Sequence, residues 1–371
     1  MKYKECLLFV GKCLTLDVHP ERIQEIREAI NKNAVNWENV VRLSSGQYVL
    51  PAMYLQLKRN GLLTELPADL AEHLEEITNL NRERNLSILE QAKEITEILN
   101  AQNISPVFLK GVGHLLGGLY TDIAERMIGD IDFLVQEEKM VEAAELLIDE
   151  GYQPLTEYIP EMFKRLKHYP RLQNFKYPAS VEIHKEVLNP RYQKIFRGFE
   201  LIHEKQPVAI LQNQAFIPSI KHLIIHNVIN AQISDKSFIY GNVLLRQIYD
   251  LWLLSLKDDI IKIAKNYGKK FNIFNTYFAT IDFVFSSPKG IKYQNTTRTN
   301  IFMKRMNLFL SYPKYIHSIY KTIIFLTFRI INYIKYPILS IFQKDTRKLL
   351  VNLLTDRKWY AYHLRSYLKF F

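Results

Sequence analysis

Cysteine is almost missing from the 371 residues. Only Cys6 and Cys13 occur, which excludes a disulfide framework and a cysteine-based zinc site. Seven residues apart, they share one face of a helix and read as a buried apolar pair. Reduced thiols fit a cytoplasmic chain. Glycine (13) and proline (14) are too few for a collagen-like or linker-dominated protein. Long apolar runs are missing as well. Cys6–Val10 is too short for a secretory signal core, and Lys12 interrupts it. The oiliest stretch, Tyr320–Phe342, is broken by Arg329, Lys335 and Pro337 into Thr322–Phe328 and Tyr336–Gln343. Both fall short of the roughly 18 continuous apolar residues of a spanning helix, so none is expected.

Acid is missing from the last third. Residues 261–371 hold 20 Lys+Arg against Asp282, Asp345 and Asp356, whereas residues 1–260 hold 29 basic and 35 acidic residues. The net charges are +17 and −6, and the whole chain carries +11. Such asymmetry points to an anionic partner for the tail. There Tyr and Phe interleave with Lys and Arg, through Asn307–Lys314, Tyr315–Lys321, Phe325–Lys335 and Trp359–Lys369. Helices of this kind lie on an anionic membrane surface, bind nucleic acid, or pack as an ordinary domain with lysines snorkelling over an apolar core. The sequence leaves all three open.

What is present is globular: 48% apolar and 23% charged residues. Glu21–Asn31, Gln47–Arg59 and Pro67–Asn103 read as helices, the last on Leu70, Leu74, Ile77, Leu80, Leu86, Leu89, Ile95, Ile98 and Leu99. The pattern then turns to strands. Pro106–Leu109 is a short apolar run, Ile128–Val135 a strand, Glu137–Glu150 a helix closed by Gly151, and Leu172–Tyr177 with Ser180–Val187 a hairpin. Helix returns with Ser219–Ile233, Asn242–Leu256 and Asp259–Lys265. This predicts an α+β chain with four parts: a helical region over 1–103, a core over 104–212, a helical domain over 213–290 and a basic aromatic tail over 291–371.

The chemistry centres on Gly129-Asp130-Ile131-Asp132-Phe133-Leu134-Val135. In a strand, Asp130 and Asp132 project from one face while Ile131, Phe133 and Val135 face a core. Adjacent carboxylates repel unless a cation joins them, and such oxygen pairs suit Mg2+. Ser180-Val181-Glu182-Ile183-His184 offers a third acid, Glu182, if its strand lies beside the first. His184 is then placed to orient an acceptor hydroxyl or act as a base, and it equally suits a hydrogen-bonding role. Lys110-Gly111-Val112-Gly113, at a strand end before a helix, would let the backbone approach a phosphate. Arg126 is a second phosphate clamp candidate. An Asp-x-Asp pair alone fits a solvated loop as well. The order of turn, helix, acidic strand, helix and hairpin is what favours a site. The basic loop Lys164–Arg171 suits a triphosphate or plain solvation. His222 and His226, four apart on a helix, read as packing residues, and Arg246 with Asp250 as an intrahelical ion pair.

Taken together, Phe108-Leu109-Lys110-Gly111, Tyr120, Arg126, Asp130-Ile-Asp132-Phe-Leu-Val135, Gly151-Tyr152 and Val181-Glu182-Ile183-His184 resemble the uncharacterised nucleotidyltransferase family of the DNA polymerase beta superfamily. The resemblance covers residues 20–256 loosely and 106–186 with motifs. It implies a polymerase-beta-type core with a mixed sheet. It implies Mg2+-dependent transfer of a nucleoside monophosphate from an NTP to an acceptor, in a family that often accompanies bacterial polysaccharide or modified-peptide gene clusters. It carries over Asp130 and Asp132 as metal ligands, Glu182 as the third acid and Gly111 as the phosphate-loop glycine. Gly111-Val112 stands where the superfamily usually has Gly-Gly or Gly-Ser, and Glu182 where Asp is commoner. The alternative is a degenerate nucleotide-binding module whose basic tail makes it an adaptor at a membrane or on nucleic acid. Either reading expects a cytoplasmic protein, peripheral at the inner membrane surface if the tail meets lipid.

Overall fold

A computed structural model describes residues 1–156, 166–208, 214–266, 271–286, 291–355 and 360. Lys164 and Arg165 of the basic loop lie outside them, as does Trp359–Lys369 apart from Tyr360. The chain forms two units, residues 1–158 with 167–307, and residues 159–166 with 308–371.

The first unit opens with α1 (Tyr3–Cys13), α2 (Arg22–Asn31), α3 (Trp37–Gly46), α4 (Leu50–Arg59) and the long α5 (Ala68–Asn100). Both cysteines are buried in α1. Next come β1 (Val107–Phe108), α6 (Lys110–Leu116), β2 (Asp130–Leu134), α7 (Met140–Asp149), β3 (Gln153–Pro154), β4 (Leu172–Gln173), β5 (Ser180–His184), α8 (Gly198–His203), β6 (Lys205–Pro207) and β7 (Phe216–Pro218). Helices α9 (Ile220–Ile229), α10 (Ser237–Tyr240), α11 (Leu245–Ser255), α12 (Ile260–Lys265), α13 (Phe271–Phe285) and α14 (Thr297–Ser311) follow, the last with its residues from 308 on in the second unit.

The fold is α+β. Its seven strands form one sheet in the order β3-β4-β5-β2-β1-β7-β6. The sheet is mixed: β2 runs parallel to β5 and antiparallel to β1, and β1 runs parallel to β7. β4 and β5 make the expected hairpin. Strands β6 and β7 had no clear signal in the sequence, because a three-residue strand is too short to show alternation. Ile131, Phe133, Val181 and Ile183 are wholly buried on one face of β2 and β5, which leaves the acidic positions to the other.

Helix α5 corrects the apolar face read from the sequence. Leu80 and Leu86 are more than half exposed. Leu74, Ile95 and Leu99 of that reading are buried, but the buried line between them runs through Thr78, Asn81, Asn85, Ile88 and Ala92, at alternating steps of four and three. Its amides bind backbone. Asn81 donates to the Ala124 carbonyl, Asn85 to those of Ile123 and Arg126, and Gln91 to that of Ala179. One helix thus fastens the segments that lead into β2 and β5. A buried carbonyl without a partner is costly, so amides are favoured over leucine at these positions.

The second unit contains α15 (Lys314–Phe342) and α16 (Lys344–Thr355), which pack on each other. Within it the Phe309 ring stacks on His317 at 4.5 Å. The two short uncharged runs of the sequence join into a single 29-residue helix, with Pro337 inside it. Among the described residues, Tyr315–Phe342 is the one helix long and apolar enough, by length and composition, to cross a membrane, and none of its most apolar window is buried.

Candidate functional site

The parallel register sets Asp130 against Ser180, Asp132 against Glu182 and Leu134 against His184. Side chains at every second residue share a face, so Asp130, Asp132, Glu182 and His184 converge. Asp132 is the buried centre, with 2% of its surface exposed. Its Oδ1 accepts from Lys110 Nζ at 2.6 Å and from His184 Nε2 at 2.8 Å. Burial opposes the charge on Asp132, but Lys110 and His184 outweigh it and hold the carboxyl well below the usual carboxylate range.

His184 Nε2 also lies 3.4 Å from Glu182 Oε2, and Nδ1 faces the Glu186 carbonyl at 3.3 Å. The ring is buried, with oxygen acceptors on both sides. Its Nε2 thus faces the carboxylates of both strands. Arg171 covers the outer carboxylates. It donates to Glu182 through Nε at 3.1 Å and through Nη2, and to Asp130 Oδ2 at 3.3 Å. Burial pushes Glu182 up, while the His184 and Arg171 hydrogen bonds bring its carboxyl down to about 2. Asp130 differs: burial, then the neighbouring Asp132 charge, raise it above the ordinary value.

The remaining expected residues are placed as follows. Lys110 begins α6 with φ +47°, in the left-handed region that favours glycine. That backbone is strained, and it carries Nζ to Asp132. A Cβ on Gly111 would meet Ile128 Cγ1 at 3.0 Å. A Cβ on Gly113 would meet the Phe108 carbonyl oxygen at 2.5 Å, so this glycine seats α6 against β1. Arg126 is buried, and its guanidinium is engaged elsewhere: Nε and Nη2 grip the Asp250 carboxylate at 2.9 and 3.0 Å, and Nη1 donates to the Met127 carbonyl. Asp250 accepts from Tyr120 as well. Arg246 also donates to the Met127 carbonyl, so the intrahelical Arg246–Asp250 pair does not form. Asp250 faces the interior, where the Arg126 guanidinium meets both of its oxygens.

Two further groups feel the charge of Lys110. The Lys167 carbonyl accepts from the backbone N–H groups of Lys185 and Glu186, and Tyr169 N–H donates to the Ile183 carbonyl, so this segment lies along the end of β5. Burial and then the Lys110 charge lower the Lys167 pKa. On α9, His226 is buried, and its pKa is pushed well down by burial and then by Lys110. His222 pairs with the Ser219 hydroxyl at 3.1 Å. The pairing of Arg171 was readable in principle, since the register of β4 with β5, continued by one residue, puts it opposite Glu182.

Asp132, Glu182 and His184 present ligand atoms within 4.8 Å of one another, a set able to hold a metal ion. The donors fit a divalent cation, since carboxylates from two strands converge there. A family model described as an uncharacterised nucleotidyltransferase matches residues 33–267, which contain every residue of this site. No curated protein matches the chain.

Proposed function

Because the chain belongs to the uncharacterised nucleotidyltransferase family, we propose that it transfers a nucleoside monophosphate from an NTP to an acceptor with the help of Mg2+ held by Asp130, Asp132 and Glu182. The observation that carries this reading is the register that sets Asp132 beside Glu182, with Asp130 on the same face. Oxygen donors suit Mg2+, which keeps water and phosphate as its other ligands. Such a cation would offset charge on the NTP phosphates and on the departing pyrophosphate.

The chain's own groups do the rest. Lys110 and Lys167 bring positive charge to the phosphates, and Gly111 lets the backbone come close to them. His184 holds Asp132 in place. Arg171 balances Asp130 and Glu182 until substrate arrives, and then turns to the phosphates.

A second reading, a degenerate nucleotide-binding module serving an adaptor, draws on the same ion pairs: Lys110 and Arg171 already neutralise much of the acidic cluster. Calorimetric titration of each NTP, with and without Mg2+, separates the two. The enzyme reading expects Mg2+-dependent binding of one NTP, lost in a folded Asp130→Asn/Asp132→Asn variant. No binding of any NTP to the folded wild-type chain supports the degenerate module.

A further inference from the structure

We infer that α15 is an interfacial helix that lies in the surface of an anionic bilayer and docks the chain there. The inference concerns residues beyond the family match at 33–267 and does not rest on the proposed activity. Ile319, Ile323, Ile330, Ile334 and Ile341 are each more than half exposed. Their spacing alternates four and seven residues. At about 100° per residue they fall within about 60° of arc, one straight apolar stripe along the helix. Arg329 and Lys335 lie at about 120° to either side of it, and Lys321 lies almost behind it.

Charge selects the occupant. Helix α15 itself contains no acid, so the charges it sets beside the stripe are all cations. A bilayer with anionic headgroups supplies both partners, acyl chains below and negative charge beside. A second copy of the helix would bring its own flanking cations against these. Nucleic acid would gain little from isoleucines, which neither stack on bases nor hydrogen-bond. A crossing helix would bury Arg329 and Lys335 among acyl chains, whereas in the surface plane both reach the headgroups. Arg347 closes the C-terminal end, donating to the Ser340 and Ile341 carbonyls at 3.0 and 2.9 Å.

The test is flotation of the full chain with vesicles of phosphatidylcholine alone, and with vesicles of equal parts phosphatidylcholine and phosphatidylglycerol. Tight binding to the mixed vesicles is expected, weakened about a hundredfold by Lys321→Gln/Arg329→Gln/Lys335→Gln. Loss is expected with Ile319→Ser/Ile323→Ser/Ile330→Ser/Ile334→Ser, in a full chain whose circular dichroism matches the wild type. Depth comes from Ile319→Trp, Ile330→Trp and Ile341→Trp, each quenched by brominated lipids. Equal, shallow quenching at all three sites supports the inference. Quenching deepest at residue 330 indicates a crossing helix and overturns it. Absence of vesicle binding also overturns it, whether the chain then retains RNA or self-associates through the stripe.

Discussion

Asp132 and Glu182 stand directly opposite each other on parallel strands, bridged from one side by His184 Nε2. The two aspartates nevertheless differ in what they do for the fold. Asp132 is buried and answers Lys110, while Asp130 is about one third exposed and carries a disfavoured charge. Asp132→Asn leaves Lys110 facing a neutral amide and should cost about 2 kcal/mol in urea unfolding. Asp130→Asn should change stability by less than about 0.5 kcal/mol. Both should abolish Mg2+-dependent NTP binding at temperatures where the variants are folded. Equal stability of the two variants would contradict the assignment of Lys110 to Asp132.

Arg171 competes for the carboxylates a metal would use. Arg171→Gln should tighten Mg2+ binding to the nucleotide-free chain by roughly two- to fivefold, the scale of a partly exposed ion pair. The same variant should weaken NTP binding, because the guanidinium no longer meets the phosphates. Titration of Mg2+ with and without NTP reads both effects, and unchanged Mg2+ affinity would remove Arg171 from this role.

The Arg126–Asp250 fork is a buried brace between the segment that leads into β2 and helix α11. Breaking a buried pair from one side leaves an uncompensated charge, so Arg126→Met should cost about 3–5 kcal/mol and Arg126→Met/Asp250→Leu less than the sum of the single changes. The fork also has a pH signature. Burial would raise Asp250, but Arg126 outweighs it and holds the carboxyl below its ordinary value of 3.8. The folded chain therefore binds fewer protons than the unfolded chain in that range. The stability this supplies is complete above 3.8 and is lost as pH falls through the lower folded value. Urea midpoints should fall more steeply with acid in the wild type than in Asp250→Asn.

Gly113 tests the seating of α6. The added methyl of Gly113→Ala meets a backbone oxygen that cannot rotate away, so a loss of about 1–3 kcal/mol is expected in thermal unfolding. A neutral result would mean that α6 shifts freely against β1.

The sequence was legible where local rules decide. Alternation in Ile-Asp-Ile-Asp-Phe-Leu-Val is a property of one strand, and it placed Asp130 and Asp132 on one face. The pairing of that strand with Ser180–His184 was the condition on which Glu182 became a third acid, and the register meets it. The reading failed where distant partners decide. Asp250 looked paired to Arg246 because they are four apart, yet a guanidinium 124 residues upstream binds it. The face of α5 went astray for the same reason: leucines at 80 and 86 kept the period, while the buried positions 81, 85 and 91 serve carbonyls on other segments.

Those three amides set a limit on redesign. Leucines at 81, 85 and 91 would complete the hydrophobic stripe of α5 and improve every helix score, yet they would strand four backbone carbonyls and release the entries to both carboxylate strands together. In this chain the polar residues of a helix, more than its oily ones, determine whether two distant strands arrive in step.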